Sequence, residues 1–516
     1  MLARTIGNVV LALFTTRLVV NELGQVDFGL FSLVGVTVGL SAVLSDALQV
    51  AGQRHLSHEL GSSGEDTIAR TFSTLWFLYT GVGGLLVLLS IALAYPLSRG
   101  LNVPEDRVDA VGWVIVLSGL TLAVTSARGP YLSLQFAYQR HFVVAMIESV
   151  MSVIRLGLAA ALAFVPGDPL IAWAALLLGA SVLAYALMAI AARSIKAAQL
   201  SPKHFDRSKV KELTAFGAWS VVGQLSWKLR FLAGQIVVLQ QFAPQYNGSL
   251  ALARQLSAFQ TTLAAPINKA FMPAIGFHHG AARDGMVRRL VAASMRFDVL
   301  VAAFVAVPLV LDPYPFFELW LGAEAAAGFP ELAEMTRFFS LALLVSVVGR
   351  AALATVTASG KIGSCVVSKL VTEVLAMTGA VVHIVAFDGP AAALAYWAVG
   401  GSIAISAIEF VFMQRRTGIS ALWLAKEFLT RVAPVLGAGF VGGWVVVGML
   451  DPTPLRPLLV GAAAAAVMGV LAWVVLFRPE ERDRVQEMIG AAIGGVTRRG
   501  RSGPGSDDPD ARGPGS

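Results

Sequence analysis

Long apolar stretches alternate with short polar gaps along almost the whole chain. A helix needs about 20 apolar residues to cross a bilayer, because its backbone groups must be satisfied within the helix where there is no water. The pattern therefore predicts an all-α integral membrane protein with about 14 transmembrane helices. These predicted helices cover 5–22, 28–50, 71–95, 109–134, 141–165, 169–192, 213–242, 248–275, 290–311, 335–358, 362–387, 391–413, 432–450 and 454–477.

Lys and Arg gather in every second gap between the predicted helices. The remaining gaps are acidic or neutral and hold only Arg99, Arg107 and Arg456 among basic residues. Basic residues are enriched on the cytoplasmic side of membrane proteins, and a missed or extra helix would invert every later gap. The charge pattern thus supports the number fourteen independently of hydropathy and predicts that both termini are cytoplasmic.

The longest gap on the predicted inner side divides the chain after six helices. We predict an N-terminal six-helix bundle over 1–192, a cytoplasmic linker over 193–212 and a C-terminal six-helix bundle over 213–413. Helices 13 and 14, over 432–477, lie outside this repeat. A tail over 478–516 ends in Gly, Pro, Ser, Asp and Arg, a composition with too little apolar surface to offset chain entropy, and we expect it to be largely disordered.

Composition excludes several function classes. A chain that is 56% hydrophobic and 14% charged has more apolar surface than a soluble domain of 516 residues could bury. The net charge of +7 lies beside apolar spans, so it predicts no nucleic-acid partner. The single cysteine, Cys365, excludes intrachain disulfides and metal sites built on several thiolates, and no GxxxxGK[ST] motif is present. We expect a transporter rather than an enzyme, without metal or cofactor.

Polar residues recur on single faces of the predicted helices. An ionisable side chain in mid-membrane costs roughly 2.5–3.5 kcal/mol, so each needs a partner, water or a function. The pattern favours a hydrated cavity lined by cations, which suits an anionic substrate such as a phosphate-bearing lipid head group; the alternative is that these groups pair with each other or extend to the membrane surface. The residues that form these faces are Arg17 and Asn21 in helix 1, Ser220, Gln224, Lys228 and Gln235 in helix 7, and Arg254, Ser257 and Thr261 in helix 8.

Two further sets of charges have simpler interpretations. Asp46 is the candidate for ion coupling, although a pair with Arg54 or a capping role explains it as well. Lys369 and Glu373, four residues apart in helix 11, are most simply an internal pair, with Arg350 of helix 10 as a third member.

One stretch carries a resemblance to a known family. The segment TRLVVNELGQVDFGLF at 16–31 resembles the opening of the polysaccharide-transport family, with its basic residue, Leu-Gly, and Asp-aromatic-Gly turn into helix 2. The segments 131–140, 246–273 and Leu319-Trp320-Leu321-Gly322 are similar to later parts of that family. The family belongs to the multidrug, oligosaccharidyl-lipid and polysaccharide (MOP) exporter superfamily. The resemblance implies two six-helix bundles in a pseudo-symmetric V around a central cavity, followed here by two C-terminal helices.

The resemblance also implies a function. Members of this family flip polyprenyl-diphosphate-linked oligosaccharides across the bacterial cytoplasmic (inner) membrane, beside a polymerase and glycosyltransferases of the same pathway. The expected partners are therefore a lipid-linked anionic glycan and membrane lipid. We expect Arg17, Lys228 and Arg254 to hold the diphosphate, with Arg230 in reserve because it lies about 200° from Lys228 around the helix. The alternatives are a flippase for the lipid-linked peptidoglycan precursor, a cation-coupled multidrug exporter and a non-transporting membrane scaffold.

Overall fold

The computed structural model describes residues 2–62, 64–100, 102–198, 200–210, 213, 232–281, 283–359 and 362–476. Of residues 2–3, 33–47, 50–51, 62, 202 and 265–270 it describes only the backbone. Most of the predicted helix 213–242 and all of the predicted tail 478–516 lie outside the described residues. "Inner" and "outer" below denote the two sides of the membrane as the charge pattern predicts them.

The described residues are almost entirely helical, and long helices follow one another through short turns. In chain order they are α1 (Leu2–Ser62), α2 (Glu65–Gly100), α3 (Val108–Ala137), α4 (His141–Ala161), α5 (Pro169–Ala192), α6 (232–241), α7 (Pro244–Gly280), α8 (Asp284–Leu311), α9 (Pro313–Leu321), α10 (Ala323–Ala327), α11 (Leu332–Ala358), α12 (Gly363–Ala386), α13 (Ala393–Thr417), α14 (Ala421–Glu427), α15 (Ala433–Met449) and α16 (Arg456–Leu471).

Eleven helices in the described part of the chain are long and apolar enough to cross a membrane. They confirm a multi-pass, all-helical membrane protein. The other three predicted spans are 28–50, which is the second part of α1, 213–242, which is mostly not described, and 248–275, which lies inside the 37-residue α7. The number fourteen therefore stays a prediction.

The turn between the first two predicted helices is a sharp break at one residue. Gly24 has φ 72° and ψ 176°, a conformation that glycine adopts without the steric cost of a side chain, and helix resumes directly after it. Asp27, Phe28 and Gly29 are therefore helical and buried, and the prediction that they form the turn is wrong. In the second half of the chain, Tyr246, Asn247 and Gly248 lie within the first turns of α7.

These two helix starts cross at the outer side of the molecule. A methyl group at Gly29 would clash with the carbonyl of Pro244, so glycine allows the backbones of α1 and α7 to touch there. The Asn247 side-chain amide donates to the carbonyl of Gly29 at 3.1 Å, and the Ser32 hydroxyl donates to the carbonyl of Asn247 at 3.4 Å. Phe28 meets Phe329 edge to face, with ring centroids 5.9 Å apart. This outer crossing joins α1 to α7.

The buried apolar side chains within the described ranges show how the molecule is divided. One cluster at the outer side is shared by α1, α3, α4 and α5 in the first half of the chain and by α6–α13 in the second. At the inner side there are two separate clusters instead, one within α1–α5 and one within α7, α8, α11–α16. The two helical groups are thus packed together on the outer side and have separate cores on the inner side.

Two of the three outer arginines, which the charge rule disfavours, are paired with outer carboxylates. Arg107 reaches Asp27 of α1 at 2.7 Å and Asp168 at 2.6 Å, and Asp168 in turn caps α5 by accepting from Leu170 N–H at 2.9 Å. Arg456 reaches Asp312 at 2.6 Å. These pairs explain why basic residues are tolerated on this side: each one joins two segments of the fold.

The described part of the linker is anchored rather than free. Lys209 pairs with Glu59 of α1 at 2.7 Å and also donates to the Thr71 hydroxyl of α2. The Asp206 N–H donates to the Thr74 hydroxyl at 3.0 Å, while the hydroxyl and N–H of Ser208 hold the pKa of Asp206 below its ordinary value. The linker therefore ties together the inner ends of α1 and α2.

The last helices dock on the second helical group through a buried arginine. Arg296 of α8, which is 3% exposed, donates to the carbonyl of Leu476 at 2.9 Å and pairs with Glu427. Glycines of α15 make the packing close, since a methyl group at Gly439 would meet Met468 of α16. Helices α15 and α16 are thus fixed to α8.

Replacing Gly29 with Ala should weaken the outer crossing. The added methyl group has no space beside Pro244, and overpacking of this kind costs about 1–3 kcal/mol. Gly7→Ala, in the same helix with nothing within 4 Å, is the matched control and should be neutral or slightly stabilising. Thermal unfolding of the purified variants measures both. Equal unfolding temperatures for the two variants would contradict the close contact.

Replacing Arg107 with Ala should destabilise the fold, because it leaves the buried Asp27 without its cation. We expect a loss of roughly 1–3 kcal/mol, less than for a fully buried pair because Arg107 is 29% exposed. Arg99→Ala on the exposed outer end of α2 should stay within about 0.5 kcal/mol of the wild type. Chemical denaturation in detergent distinguishes them, and similar losses for both would refute the assignment.

Candidate functional site

A cavity of about 930 Å³ lies between α1 and the second helical group. Its wall is built from α1, α5, α6, α7, α11, α12 and α13. It begins beneath the outer crossing, at Phe28 and Trp173, and extends to Leu353 and Lys369 near the inner ends of α11 and α12. Because the helical groups share their outer cluster and have separate inner ones, the cavity is closed on the outer side.

The outer part of the cavity is aromatic with amide and hydroxyl groups between the rings. Phe28, Phe31 and Trp173 lie there, and Gln235 of α6 reaches the wall from the opposite side. Gln235 is fully buried, and its side-chain nitrogen and oxygen have no hydrogen-bond partner among the described residues. Buried amides are normally satisfied, so this group is available to a polar ligand.

The middle of the cavity carries the stripe predicted on helix 8. Arg254, Ser257 and Thr261 all line the wall from α7. The Arg254 guanidinium lies over the ring of Phe339, 5.1 Å from its centroid. The hydroxyls of Ser257 and Thr261 donate to the carbonyls four residues earlier, at 3.2 and 3.0 Å, which leaves their oxygens able to accept from a ligand.

The inner part of the cavity holds an ion-pair cluster. Lys369 of α12 pairs with Glu409 of α13 at 2.5 Å, and Arg350 of α11 is close enough to interact electrostatically with the same carboxylate. The prediction that Lys369 pairs with Glu373 is wrong, because the carboxylate on the neighbouring helix lies nearer its ammonium than the residue one turn along. Glu373 also lines the cavity.

Two predicted site residues on α1 lie away from this wall. The Arg17 guanidinium donates to the carbonyl of Leu319 at 3.3 Å, beside Trp320, whose indole N–H donates to the carbonyl of Leu13 at 2.8 Å. Arg17 and Trp320 therefore tie α1 to α9. Asn21 is exposed close to the break at Gly24, on the outer side of α1, and is not part of the wall.

The remaining predicted positions lie outside the described residues. They are Ser220, Gln224, Lys228 and Arg230, together with the side chain of Asp46. Their roles stay predictions.

Sequence reasoning missed Trp173 and Glu409 and gave Arg350 only a structural role. Glu409 is the only acidic residue in α13, and an ionisable residue inside an apolar span is a signal for a functional or paired group. Trp173 had no such signal, because an aromatic residue in an apolar helix is ordinary. Its place on the wall depends on how α5 packs against the outer crossing.

The wall can bind an anion and neutral polar groups at the same time. On the described wall three residues are cationic and two are acidic: Arg254, Arg350 and Lys369, against Glu373 and Glu409. In a site shielded from bulk water, a small excess of positive charge attracts an anion more strongly than it would at a surface. The aromatic and amide part suits uncharged hydroxylated groups.

Comparisons with known proteins identify the family to which the chain belongs. A family model described as "Polysaccharide biosynthesis protein" matches residues 1–278. An inward-facing multidrug resistance MATE family transporter of the MOP superfamily is similar with TM-score 0.69 and 13% identity, over 81% of this chain and 96% of that one. The lipid II flippase MurJ in an inward closed conformation is similar with TM-score 0.67 and 12% identity, over 92% of this chain and 99% of that one. No curated protein matches the sequence.

An outward-facing conformation of a MATE family transporter of the MOP superfamily gives a lower TM-score, 0.54, at 12% identity over 82% of this chain and 96% of that one. At these identities the likeness shows the fold alone.

Replacing Gln235 with Leu should raise stability. Leu has a similar size, and the substitution removes a buried amide without a partner in the described structure, so we expect a gain of about 1 kcal/mol. Gln260→Leu is the matched control, because Gln260 donates to the Ser340 hydroxyl at 3.0 Å and should lose stability on substitution. Thermal unfolding of both variants measures the difference. A loss of stability in Gln235→Leu would contradict the assignment of this amide to a ligand.

Proposed function

Because the chain belongs to the polysaccharide biosynthesis protein family, we propose that it flips polyprenyl-diphosphate-linked oligosaccharide repeat units across the bacterial cytoplasmic membrane. The substrate would enter from the inner leaflet and leave to the outer leaflet by alternating access. The observation that carries this proposal is the cavity itself, which is closed outward, has three cations against two carboxylates on its described wall and is aromatic toward its outer end.

The cavity has the size and the charge for such a head group. Its volume of about 930 Å³ lies at the upper end of the range for small-molecule sites, roughly 300–1,000 Å³. Arg254, Arg350 and Lys369 supply positive charge for a diphosphate. Arginine suits phosphate because its planar fork can donate two parallel hydrogen bonds, and lysine adds a compact charge.

The order of groups along the cavity matches the order of groups in the substrate. The lipid tail must remain in the membrane, so the diphosphate next to it lies near the inner leaflet, where Arg350 and Lys369 are. The oligosaccharide then reaches outward, past Arg254, to Trp173 and Gln235. Aromatic faces and amides are suited to sugars, which offer apolar C–H faces and many hydroxyl groups.

Release on the other side requires the packing of the two helical groups to reverse. The outer crossing at Gly29 and the shared outer cluster would have to part, while the separate inner clusters approach each other. Each inner cluster stays intact in this movement, because each belongs to one group. The proposed motion is therefore a rocking of two bodies rather than an unfolding of either.

A second candidate is a flippase for the lipid-linked peptidoglycan precursor. The structure of the lipid II flippase MurJ is similar to this chain over 92% of its length. That precursor also carries a diphosphate on a lipid, so the same cations would serve it. A cation-coupled multidrug exporter is less favoured, because a wall with more cations than carboxylates opposes a cationic drug. A scaffold that transports nothing does not explain a cavity wall with buried polar groups that lack partners among the described residues. The similarity of the fold to the MATE transporter and to MurJ favours a transporter over an enzyme.

The test is the leaflet in which lipid-linked sugars accumulate. Cells lacking the protein should accumulate lipid-linked oligosaccharide in the inner leaflet, and Arg254→Ala should lower flipping about tenfold if one charge-assisted hydrogen bond to phosphate is lost. Arg283→Ala, at an exposed inner turn, is the matched control and should flip normally. Lys228→Ala tests the predicted residue of helix 7 in the same assay.

Accumulation of the peptidoglycan precursor instead would select the second candidate. No accumulation of either lipid in the deletion would contradict the flippase proposal. Normal flipping by Arg254→Ala would keep the function and remove Arg254 from the site.

A further inference from the structure

Glu409 differs from the other charged residues on the described cavity wall because it is buried. Its side chain is 3% exposed, whereas that of Lys369, its partner, is 27% exposed. The carboxylate fits beside α11 only because residue 349 is glycine, since a methyl group there would clash with Glu409 Oε2. The Ser406 hydroxyl, one turn earlier on α13, donates to the carbonyl of Val345 at 3.1 Å and holds the two helices together at this point. Glu409 therefore occupies a niche built by two helices.

Two cationic side chains, one from α12 and one from α11, lie beside this niche. The ammonium of Lys369 approaches from α12 at 2.5 Å, and Arg350 on α11 interacts electrostatically with Glu409 and with the buried Asp298 of α8. Lys369, Arg350 and Glu409 all face the same cavity. A carboxylate between a lysine and an arginine has the surroundings that a phosphate oxygen would need. The niche thus resembles an anion site that is already filled by the protein.

We propose that Glu409 is a tethered counter-anion, which holds Lys369 and Arg350 while the cavity is empty and is displaced from them by the diphosphate of the substrate. The inference rests on the proposed function and assigns the diphosphate to the Lys369–Arg350 end of the cavity. Burial keeps the carboxylate in place, and the more exposed ammonium turns toward the incoming anion.

Such an arrangement has a consequence for transport. Without Glu409, the cations of this shielded cavity would bind a diphosphate tightly and release it slowly, since affinity differences among related complexes appear mainly in the dissociation rate. Glu409 lowers that affinity, because the substrate gains Lys369 only by breaking an existing ion pair. When the cavity opens outward, the carboxylate takes back its cations and expels the anion. Glu409 therefore lowers the affinity for the diphosphate and, by speeding its release, raises the rate of turnover.

The binding of a short prenyl diphosphate tests this inference on the purified full-length protein in nanodiscs. Farnesyl diphosphate is the probe, farnesol is the uncharged control and inorganic pyrophosphate shows what the anion contributes alone. Glu409→Gln should bind farnesyl diphosphate about tenfold more tightly than the wild type, because a charge-assisted pair no longer has to be broken. The affinity for pyrophosphate should rise by a similar factor in Glu409→Gln, and the affinity for farnesol should not change.

Two further variants identify the partner of Glu409. Lys369→Gln should weaken binding of the probe, and the gain from Glu409→Gln should shrink in the Lys369→Gln background, since interacting residues are not additive. Glu409→Asp keeps the charge on a shorter side chain, so its affinity for the probe should lie between those of the wild type and Glu409→Gln. This variant replaces Glu409→Gln in the test if the glutamine variant folds poorly. Glu148→Gln is the matched control: it removes a carboxylate from the 2.7 Å pair with Arg128, away from the cavity wall.

The outcomes separate this inference from the flippase proposal. If the wild type binds the probe and Glu409→Gln binds it equally or less tightly, the counter-anion role is refuted and the flippase proposal stands. A gain that is unchanged without Lys369, or equal in Glu148→Gln, refutes it as well. Failure of both the wild type and Glu409→Gln to bind also overturns it, and the accumulation assay then decides the function independently. Slower flipping by Glu409→Gln despite tighter binding would support the exchange of affinity for turnover.

Discussion

The outer crossing of α1 and α7 is the contact on which the rest of the architecture depends. Gly29 lets the two backbones touch, and the Asn247 amide bonds the carbonyl of Gly29 across the gap. Because the helical groups meet here and have separate cores on the inner side, a cavity remains between them. Its outer end, its depth and the side from which a substrate can enter all follow from this contact.

The second constraint is the cost of charge inside a membrane. In the described part of the chain, several cations that organise the fold have an acidic partner: Arg107 with Asp27 and Asp168, Arg296 with Glu427, and Arg456 with Asp312. These pairs join helices and lie away from the cavity wall. Lys369 and Glu409 follow the same rule at the wall itself, where the pair can be opened by a ligand. The difference between a structural and a functional pair is thus its access to the cavity, and not its chemistry.

Several features were predictable from the sequence because they depend on periodicity and charge. Most helices, the all-helical class and the position of Arg254, Ser257 and Thr261 on one face of a helix follow from patterns within single segments. Lys369 was assigned the wrong partner, because i and i+4 spacing is visible in a sequence and the approach of α13 is not. The turn at Gly24 was misplaced by a few residues for a similar reason. Asp27 and Phe28 resemble turn residues in the sequence, whereas their burial is set by Arg107 and Phe329, which are distant along the chain.

The account's central claim is that the cavity carries a lipid-linked diphosphate from one leaflet to the other. The most direct measurement reconstitutes the purified protein in liposomes that contain a labelled polyprenyl-diphosphate oligosaccharide and follows the label that an added membrane-impermeant reagent can reach. The account predicts that nearly all of the label becomes accessible with the wild type, and that a variant lacking both Arg254 and Arg350 behaves like protein-free liposomes. Accessibility with the wild type no greater than in protein-free liposomes would contradict it.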